Sequence, residues 1–288
     1  MREYDEETLR RVQSVELEIL RDFLSLCDKY DLRCFGIAGT GIGVVRHGGF
    51  IPWDDDIDVA LPRDDYEQFL IHAKNELGKK YQVMNFEENH NYPLMTTRLM
   101  MRGTEFREYA LKDIDCPLGI FLDIYAFDNV PNDERLFRKQ ARSAFFWSKM
   151  LILRSIAFPV LGFGGAKAKV VHLCCFLVHA ILGIFRVPKE YLYRKCYEAS
   201  TRYRDLNDSV SLDYLCDTNP YMNLIKREDI FPLVYRDFCG LKVPFPNNLH
   251  DHLTRMYGDY MALPPEEKRK NHFPYQLNFI QEKEHLYD

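Results

Sequence analysis

Four aspartates crowd one short stretch, Trp53-Asp54-Asp55-Asp56-Ile57-Asp58, which runs straight into the apolar Val59-Ala60-Leu61. In an extended strand successive side chains point to opposite faces, so Asp56, Asp58 and Ala60 share one face and Ile57, Val59 and Leu61 the other. Two carboxylates on one face repel each other, which costs stability unless a cation neutralises them. Such oxygens suit Mg²⁺ or Mn²⁺, which takes one or two carboxylates and completes its shell with water and substrate phosphate. Asp is also common in turns and caps, so a bare DxD triplet proves little. The residues before it add weight. Cys34 to Ile37 reads as a strand, followed by Gly39-Thr40-Gly41 and a short helix. A strand, a glycine turn and a helix N-terminus expose backbone N–H groups as an anion site. Gly39 and Gly41 let the backbone approach a phosphate, and Thr40 adds a hydroxyl. The spacing is neither a P-loop nor GxGxxG. Its closeness to the DxD strand makes one site for a phosphate and its metal.

Other residues bear on the same chemistry. Arg46 and His47 are candidates for positive charge against phosphate, and each reads equally well as a solvated helix or turn residue. Asp54 and Asp55 point opposite ways, so both cannot ligate beside Asp56 and Asp58; one is expected to hydrogen-bond the turn and support the site. Trp53 packs in the core or stacks on a base. Asp123 alternates with Phe121 and Tyr125 in an apolar strand, where a lone Asp is costly unless paired or metal-bound. It reads either as a hydrogen-bonded structural residue or as a third acidic residue of the site, a ligand or a general base. Arg98 and Arg102 are weaker phosphate candidates. His250 and His252 lie two apart on a predicted helix and so face different ways; with His272 they read as surface or structural residues. Lys268, Arg269 and Lys270 read as a solvated basic face, with donor phosphates or anionic lipid as the alternative use.

The elements that must position these residues follow from periodicity. Val12, Val15, Ile19, Phe23, Leu26 and Tyr30 recur at helical steps. Strands are predicted at Arg33 to Ile37, Tyr81 to Phe86, Thr97 to Met101 and Gly119 to Ala126. A helix is predicted from Pro62, with Tyr66, Phe69, Leu70, Ala73 and Leu77 inward and Asp64 and Asp65 at its positive end. This mixture fits an α+β fold, a small mixed sheet flanked by helices.

The net charge of −5 gives no general attraction to nucleic acid. Eight cysteines show no CxxC pair or zinc-like spacing and read as buried or free thiols of a reducing compartment. The charged N-terminus lacks the apolar core of a signal peptide, so a cytoplasmic protein is expected. From 133 to 205 the pattern is helical, and within it residues 170 to 185 carry no charge. A span needs about 20 apolar residues, so a buried helix of an inserted subdomain is the favoured reading. The alternative is a helix lying on a membrane, helped by Lys149, Arg154, Lys167, Lys169, Arg186 and Lys189 around it.

The block Gly39 to Leu70, with Arg46-His47-Gly48-Gly49-Phe50-Ile51-Pro52-Trp53-Asp54-Asp55-Asp56-Ile57-Asp58 and Pro62-Arg63-Asp64-Asp65-Tyr66, closely resembles the LicD family. These are phosphocholine transferases of bacterial surface glycans, with fukutin-type ribitol-phosphate transferases as distant relatives. Gly119-Ile120-Phe121-Leu122-Asp123-Ile124-Tyr125 resembles the family's second acidic strand. Val243-Pro244-Phe245-Pro246, Tyr257-Gly258-Asp259-Tyr260-Met261 and Leu263-Pro264-Pro265 resemble its C-terminal signature. Gly41 departs from the pattern, which more often has Leu there. The resemblance implies a nucleotidyltransferase-like catalytic core over 1–132, a helical insertion over 133–205 that is a candidate for membrane association, and the rest of the catalytic unit over 206–288. It implies Mg²⁺ or Mn²⁺ on Asp56, Asp58 and Asp123, with Gly39, Thr40, Gly41, Arg46 and His47 toward the donor. The implied reaction moves a phospho-alcohol, phosphocholine by family precedent, from a CDP-activated donor to a hydroxyl of a glycan or its lipid-linked precursor, releasing CMP. Such acceptors sit at the inner leaflet, which suits a peripheral contact there. Nucleotidyl transfer with loss of pyrophosphate, glycosyl transfer, and a non-catalytic glycan- or membrane-binding member are the alternatives. An intact acidic set argues against the last.

Overall fold

The structure is a computed structural model and describes residues 4–266, 269 and 271–279. Lys268 and Lys270 of the basic cluster lie outside the described residues.

The chain begins with α1 (Glu6–Lys29), capped by the Asp5 carboxylate, which accepts from Thr8 N–H at 2.8 Å. Val12, Ile19, Leu20, Phe23 and Leu26 are buried along it, whereas Val15 is half-buried and Glu16 takes a fully buried place. Then come β1 (Phe35–Gly36), α2 (Ala38–Arg46), β2 (Asp58–Pro62), and α3 (Arg63–His72), which continues as a π turn. They are followed by β3 (Tyr81–Met84), β4 (Thr97–Met101), β5 (Glu105–Glu108) and β6 (Phe121–Val130). Three helices follow, α4 (Glu134–Ser155), α5 (Gly165–Ile184) and α6 (Lys189–Ser200). The last part holds β7 (Ser211–Asp213), β8 (Ile225–Lys226), α7 (Arg227–Ile230), β9 (Val234–Phe238), β10 (Leu241–Phe245), α8 (Leu249–Tyr257) and β11 (Pro274–Asn278).

Among the described residues the main sheet runs β1-β2-β6-β4-β3, extended by β7 on β6 and β8 on β7. Only β2 and β6 pair in parallel there; the other pairs are antiparallel. This is the mixed sheet flanked by helices that the sequence predicts. Ile57, Val59 and Leu61 enter a core with Ile19 and Phe23 of α1 and Phe69 of α3. Ala60 enters a second core with Phe35 and Phe127, Phe137 and Ala141 of α4, and Cys196 and Ala199 of α6. The alternation read from the sequence therefore holds, and both faces of β2 are covered.

Three expectations are corrected. The acidic strand starts at Asp58, leaving Asp54 to Ile57 as an irregular lead-in. Gly39-Thr40-Gly41 is not a turn before a helix but the first turn of α2 itself, entered through Ala38 at φ +46°, a left-handed conformation that a Cβ disfavours. Finally, α5 is not a buried helix: none of its residues is buried, because among the described residues it packs mainly on α4.

Candidate active site

Parallel pairing of β2 and β6 sets Asp58 directly beside Asp123. Asp58 opens β2 and Asp123 is the third residue of β6, where the sheet meets the N-terminus of α2. The Thr40 hydroxyl accepts from Asp58 N–H at 2.8 Å, and Ile37 N–H donates to the Asp58 carbonyl at 3.1 Å, which sews α2 to the acidic strand. Thr40 is buried in that role. Gly39 faces the carboxylates closely: a Cβ there would lie 3.0 Å from Asp54 Oδ2 and 3.9 Å from Asp58 Oδ2. First-turn N–H groups have no partner within their own helix, and its positive end favours negative charge. Gly41 does not line this space. Its N–H bonds to the Ile37 carbonyl, and its α-carbon faces Leu249 and Leu253 of α8.

Burial and mutual repulsion raise the proton affinity of the whole acidic set. Asp54 is held well above the usual carboxylate range by burial and by the Asp56 charge. Asp56 is raised by burial, opposed by His272. Asp58 is raised well above by burial and by the charges of Asp56 and Asp123. Asp123 is pushed up to about 6 by burial, against the pull of Arg98. The buried Arg98 guanidinium bonds Asp123 at 3.0 Å, pairs with Glu108 at 2.5 Å and stacks on Phe121. It is thus a structural counter-ion rather than a free phosphate ligand. Arg102 donates to the Gly78 carbonyl, away from the site.

Asp55 is the supporting aspartate. It is fully buried and accepts from the Tyr4 hydroxyl and from His272 N–H, both at 2.7 Å. These bonds clamp the N-terminal segment and the C-terminal segment onto the acidic turn. The His272 ring, half-exposed, lies 3.3 Å from Asp56 Oδ2 and 3.5 Å from Asp55 Oδ1. The Asp56 charge holds its pKa well above the ordinary value, so it serves as a counter-cation. Glu16, behind the turn, has no partner for either carboxylate oxygen among the described residues; burial and the Asp55 and Asp56 charges hold its pKa well above the usual carboxylate range.

Arg46 and His47 stand at the far end of α2. The Arg46 guanidinium donates to the Tyr260 carbonyl at 2.7 Å, fastening the C-terminal segment, and His47 is exposed. Trp53 carries the Arg269 guanidinium 4.4 Å over its ring. His250 is exposed and bonds the Tyr260 hydroxyl, whereas His252 is buried, so they do face opposite ways.

The structure thus gathers Asp54, Asp56, Asp58, Asp123 and Gly39 at one place and leaves Gly41, Arg46 and His47 out of it. Carboxylates crowded and buried in this way form a hard oxygen donor set that fits a divalent cation. Asp56 leans to His272 and Asp123 to Arg98, however, so the oxygens of Asp56, Asp58 and Asp123 do not converge on one point. Among the described residues the three acidic or His groups with ligand atoms within 4.8 Å of one another are Asp55, Asp56 and His272; there His272 acts as the counter-cation, and it would have to lose its proton to join the ligands of a metal.

Comparison with known proteins bears on what such a site serves. The family model for the LicD/FKTN/FKRP nucleotidyltransferase domain matches residues 31–145, the stretch from before β1 into α4. A lipopolysaccharide cholinephosphotransferase of Haemophilus influenzae is 34% identical over 92% of this chain and 96% of its own. The chain belongs to the LicD family. It is a transferase of that family, and the aspartates of β2 and β6 lie within the matched segment. Uncharacterised proteins of Rickettsia typhi and Rickettsia prowazekii share 27% and 29% identity with it over 26% of the chain.

Several residues of this LicD-type site were not legible in the sequence. His272 lies 216 positions from Asp56, and nothing local marks it. Arg98 and Glu108 are brought together only by folding. Tyr125 lies against Asp58, and Tyr257, at the end of α8, has its pKa raised by burial and by Asp58. Asp54, read as a possible support, faces Asp58 across Gly39. The signal for it was the i, i+2, i+4 spacing of Asp54, Asp56 and Asp58.

Proposed function

We propose that this LicD-family enzyme transfers a phospho-alcohol, phosphocholine, from a CDP-linked donor to a hydroxyl of a lipopolysaccharide-type glycan and releases CMP. The observation that carries it is the near full-length similarity to a lipopolysaccharide cholinephosphotransferase, with the paired Asp58 and Asp123 inside the family match. Asp56 and Asp58 would hold Mg²⁺ or Mn²⁺ once their carboxylates turn toward one another, with Asp54 beside them and Asp123 as a further ligand or as the base. A cation bound there would screen the donor diphosphate and favour departure of the nucleotide. The chain's own residues do the remainder. N–H groups of the α2 first turn, open beside Gly39, receive phosphate oxygens. Arg98 fixes the Asp123 carboxylate, whose raised pKa suits it to take the proton of the acceptor hydroxyl. The hydroxyl oxygen bonds the phosphorus of phosphocholine, and the bond from that phosphorus to the CMP oxygen breaks. Asp55, held by Tyr4 and His272, keeps the acidic turn in place.

The test is to incubate the protein with Mg²⁺, CDP-choline and lipopolysaccharide and to analyse the products. CMP and phosphocholine on the glycan, both lost in EDTA, are expected. Pyrophosphate would mean nucleotidyl transfer instead. CDP-ribitol, CDP-glycerol and CDP-ethanolamine in parallel identify the alcohol, and no turnover with any of them refutes the proposal.

A further inference from the structure

Residues 135–189 hold ten Lys and Arg and no Asp or Glu, a stretch of net +10 in a chain of net −5. The rest of the protein therefore carries −15. Within that basic stretch lies α5, twenty residues of which none is buried. Two histidines fix how it lies. His172 Nε2 is 2.9 Å from the Pro159 carbonyl oxygen, and His179 Nδ1 is 2.7 Å from that of Leu153. Seven residues apart, they lie on one helix face two turns from each other. Together with the half-buried Val171, Cys175, Val178 and Leu182, they lay α5 lengthwise against the end of α4 and its connector. The opposite face carries Val170, Leu173, Leu177, Ile181 and Ile184 at steps of 3, 4, 4 and 3, each more than half exposed. The connector adds exposed Phe158, Val160 and Phe163, and Phe185 follows the helix. Exposed Lys167 and Lys169 stand at one end of this stripe, and exposed Arg186 at the other.

A continuous exposed apolar stripe of this kind marks an interaction surface. We infer that this face of α5, with the connector around Phe158 to Phe163, docks on an anionic lipid membrane. The helix lies in the plane of the interface, its stripe among the acyl chains and its terminal cations on headgroup phosphates. Lying flat is what the two histidine contacts impose. A crossing helix would carry its ends about 30 Å apart through the bilayer and break both contacts, yet α6, four residues on, packs back on α4. Charge selects the partner: two acid-free faces of the same sign repel, whereas anionic headgroups complement them. Val160 also lines a cleft of about 540 Å³ with Glu108, Tyr109, His272 and Tyr275. The docked face therefore borders the approach to Asp56. That an acceptor held in the same membrane reaches the aspartates this way rests on the transfer reading; the docking does not.

The full chain is sedimented with vesicles of phosphatidylglycerol and phosphatidylcholine, or of phosphatidylcholine alone, at low and high salt. Binding to the anionic vesicles is expected, weakened by salt and at least tenfold weaker for Leu177→Asp/Ile181→Asp, whose positions are exposed and whose thermal unfolding should match the wild type. Lys167→Glu/Lys169→Glu should remove the preference for anionic lipid. Absent or equal sedimentation of wild type and Leu177→Asp/Ile181→Asp overturns the inference. So does a dimer in analytical ultracentrifugation that the same substitutions dissolve. Vesicle binding needs neither donor nor acceptor, so its failure and that of the transfer reading are separate results.

Discussion

Replacing Asp58 by Asn should stabilise the protein in metal-free buffer and erase its stabilisation by Mg²⁺. Asp58 is buried beside Asp123, and burial with the Asp56 and Asp123 charges raises its pKa well above the ordinary 3.8. The sign follows from linkage. A carboxyl whose folded-state pKa is raised binds protons more tightly in the native state, so stability falls as pH rises from the ordinary pKa up to the folded one. The penalty grows by about 1.4 kcal/mol per pH unit, which sets a ceiling of about 4 kcal/mol at pH 7. Tyr125 against the carboxyl and local relaxation reduce it, and Asn keeps the shape, so a gain of roughly 1–3 kcal/mol is expected. In a chain of this size that is about 2–5 °C in Tm. Calorimetry in EDTA measures it, and a Mg²⁺ titration follows. Wild type should gain about 2.7 kcal/mol at a hundredfold excess over Kd, and the variant nothing. At pH 5 the difference in EDTA should shrink. A variant that melts lower in EDTA and still responds to Mg²⁺ would show Asp58 to be a hydrogen-bonded structural residue, and the argument from crowded charge would be wrong.

Three other outcomes are expected. Arg98→Met leaves Asp123 and Glu108 buried without their cation, so denaturant unfolding should show a loss of about 3–5 kcal/mol; a loss below about 1 kcal/mol would contradict the pairing seen here. Because burial pushes the Asp123 carboxyl up to about 6 in the metal-free site and a bound cation pulls it down, titration of Asp123 by NMR should give a midpoint near 6 in EDTA and a lower one in Mg²⁺; a midpoint that Mg²⁺ leaves unmoved would place the cation away from Asp123. Gly39→Ala puts a methyl 3.0 Å from Asp54 Oδ2 at a helical position where Ala is favoured by up to about 1 kcal/mol. Tm should hold or rise while turnover falls about tenfold, and unchanged turnover would mean that the space beside Gly39 is not used.

The sequence by itself determined the mixed fold and the acidic residues at its centre. Both are local: alternation of Ile57, Val59 and Leu61 with Asp58 and Ala60 needs only the two-residue period of a strand, and α1 needs only its helical period and the Asp5 cap. The run Asp54 to Asp58 was legible because its charges cannot sit together without a purpose. What folding alone decided are the partners of those charges. The register that sets Asp58 beside Asp123 arises from a parallel pair 65 residues apart in sequence. Arg98 and His272 reach Asp123 and Asp56 from strands and segments that share no local pattern with them. The glycines divided for the same reason. Gly39 and Gly41 look alike in sequence, yet two residues along a helix turn by about 200°, so one faces carboxylates and the other α8. The exposed face of α5 is the converse case: an uncharged run is compatible with burial or with exposure, and only the absence of described residues on one side of that helix, with histidines holding the other, shows that it is exposed.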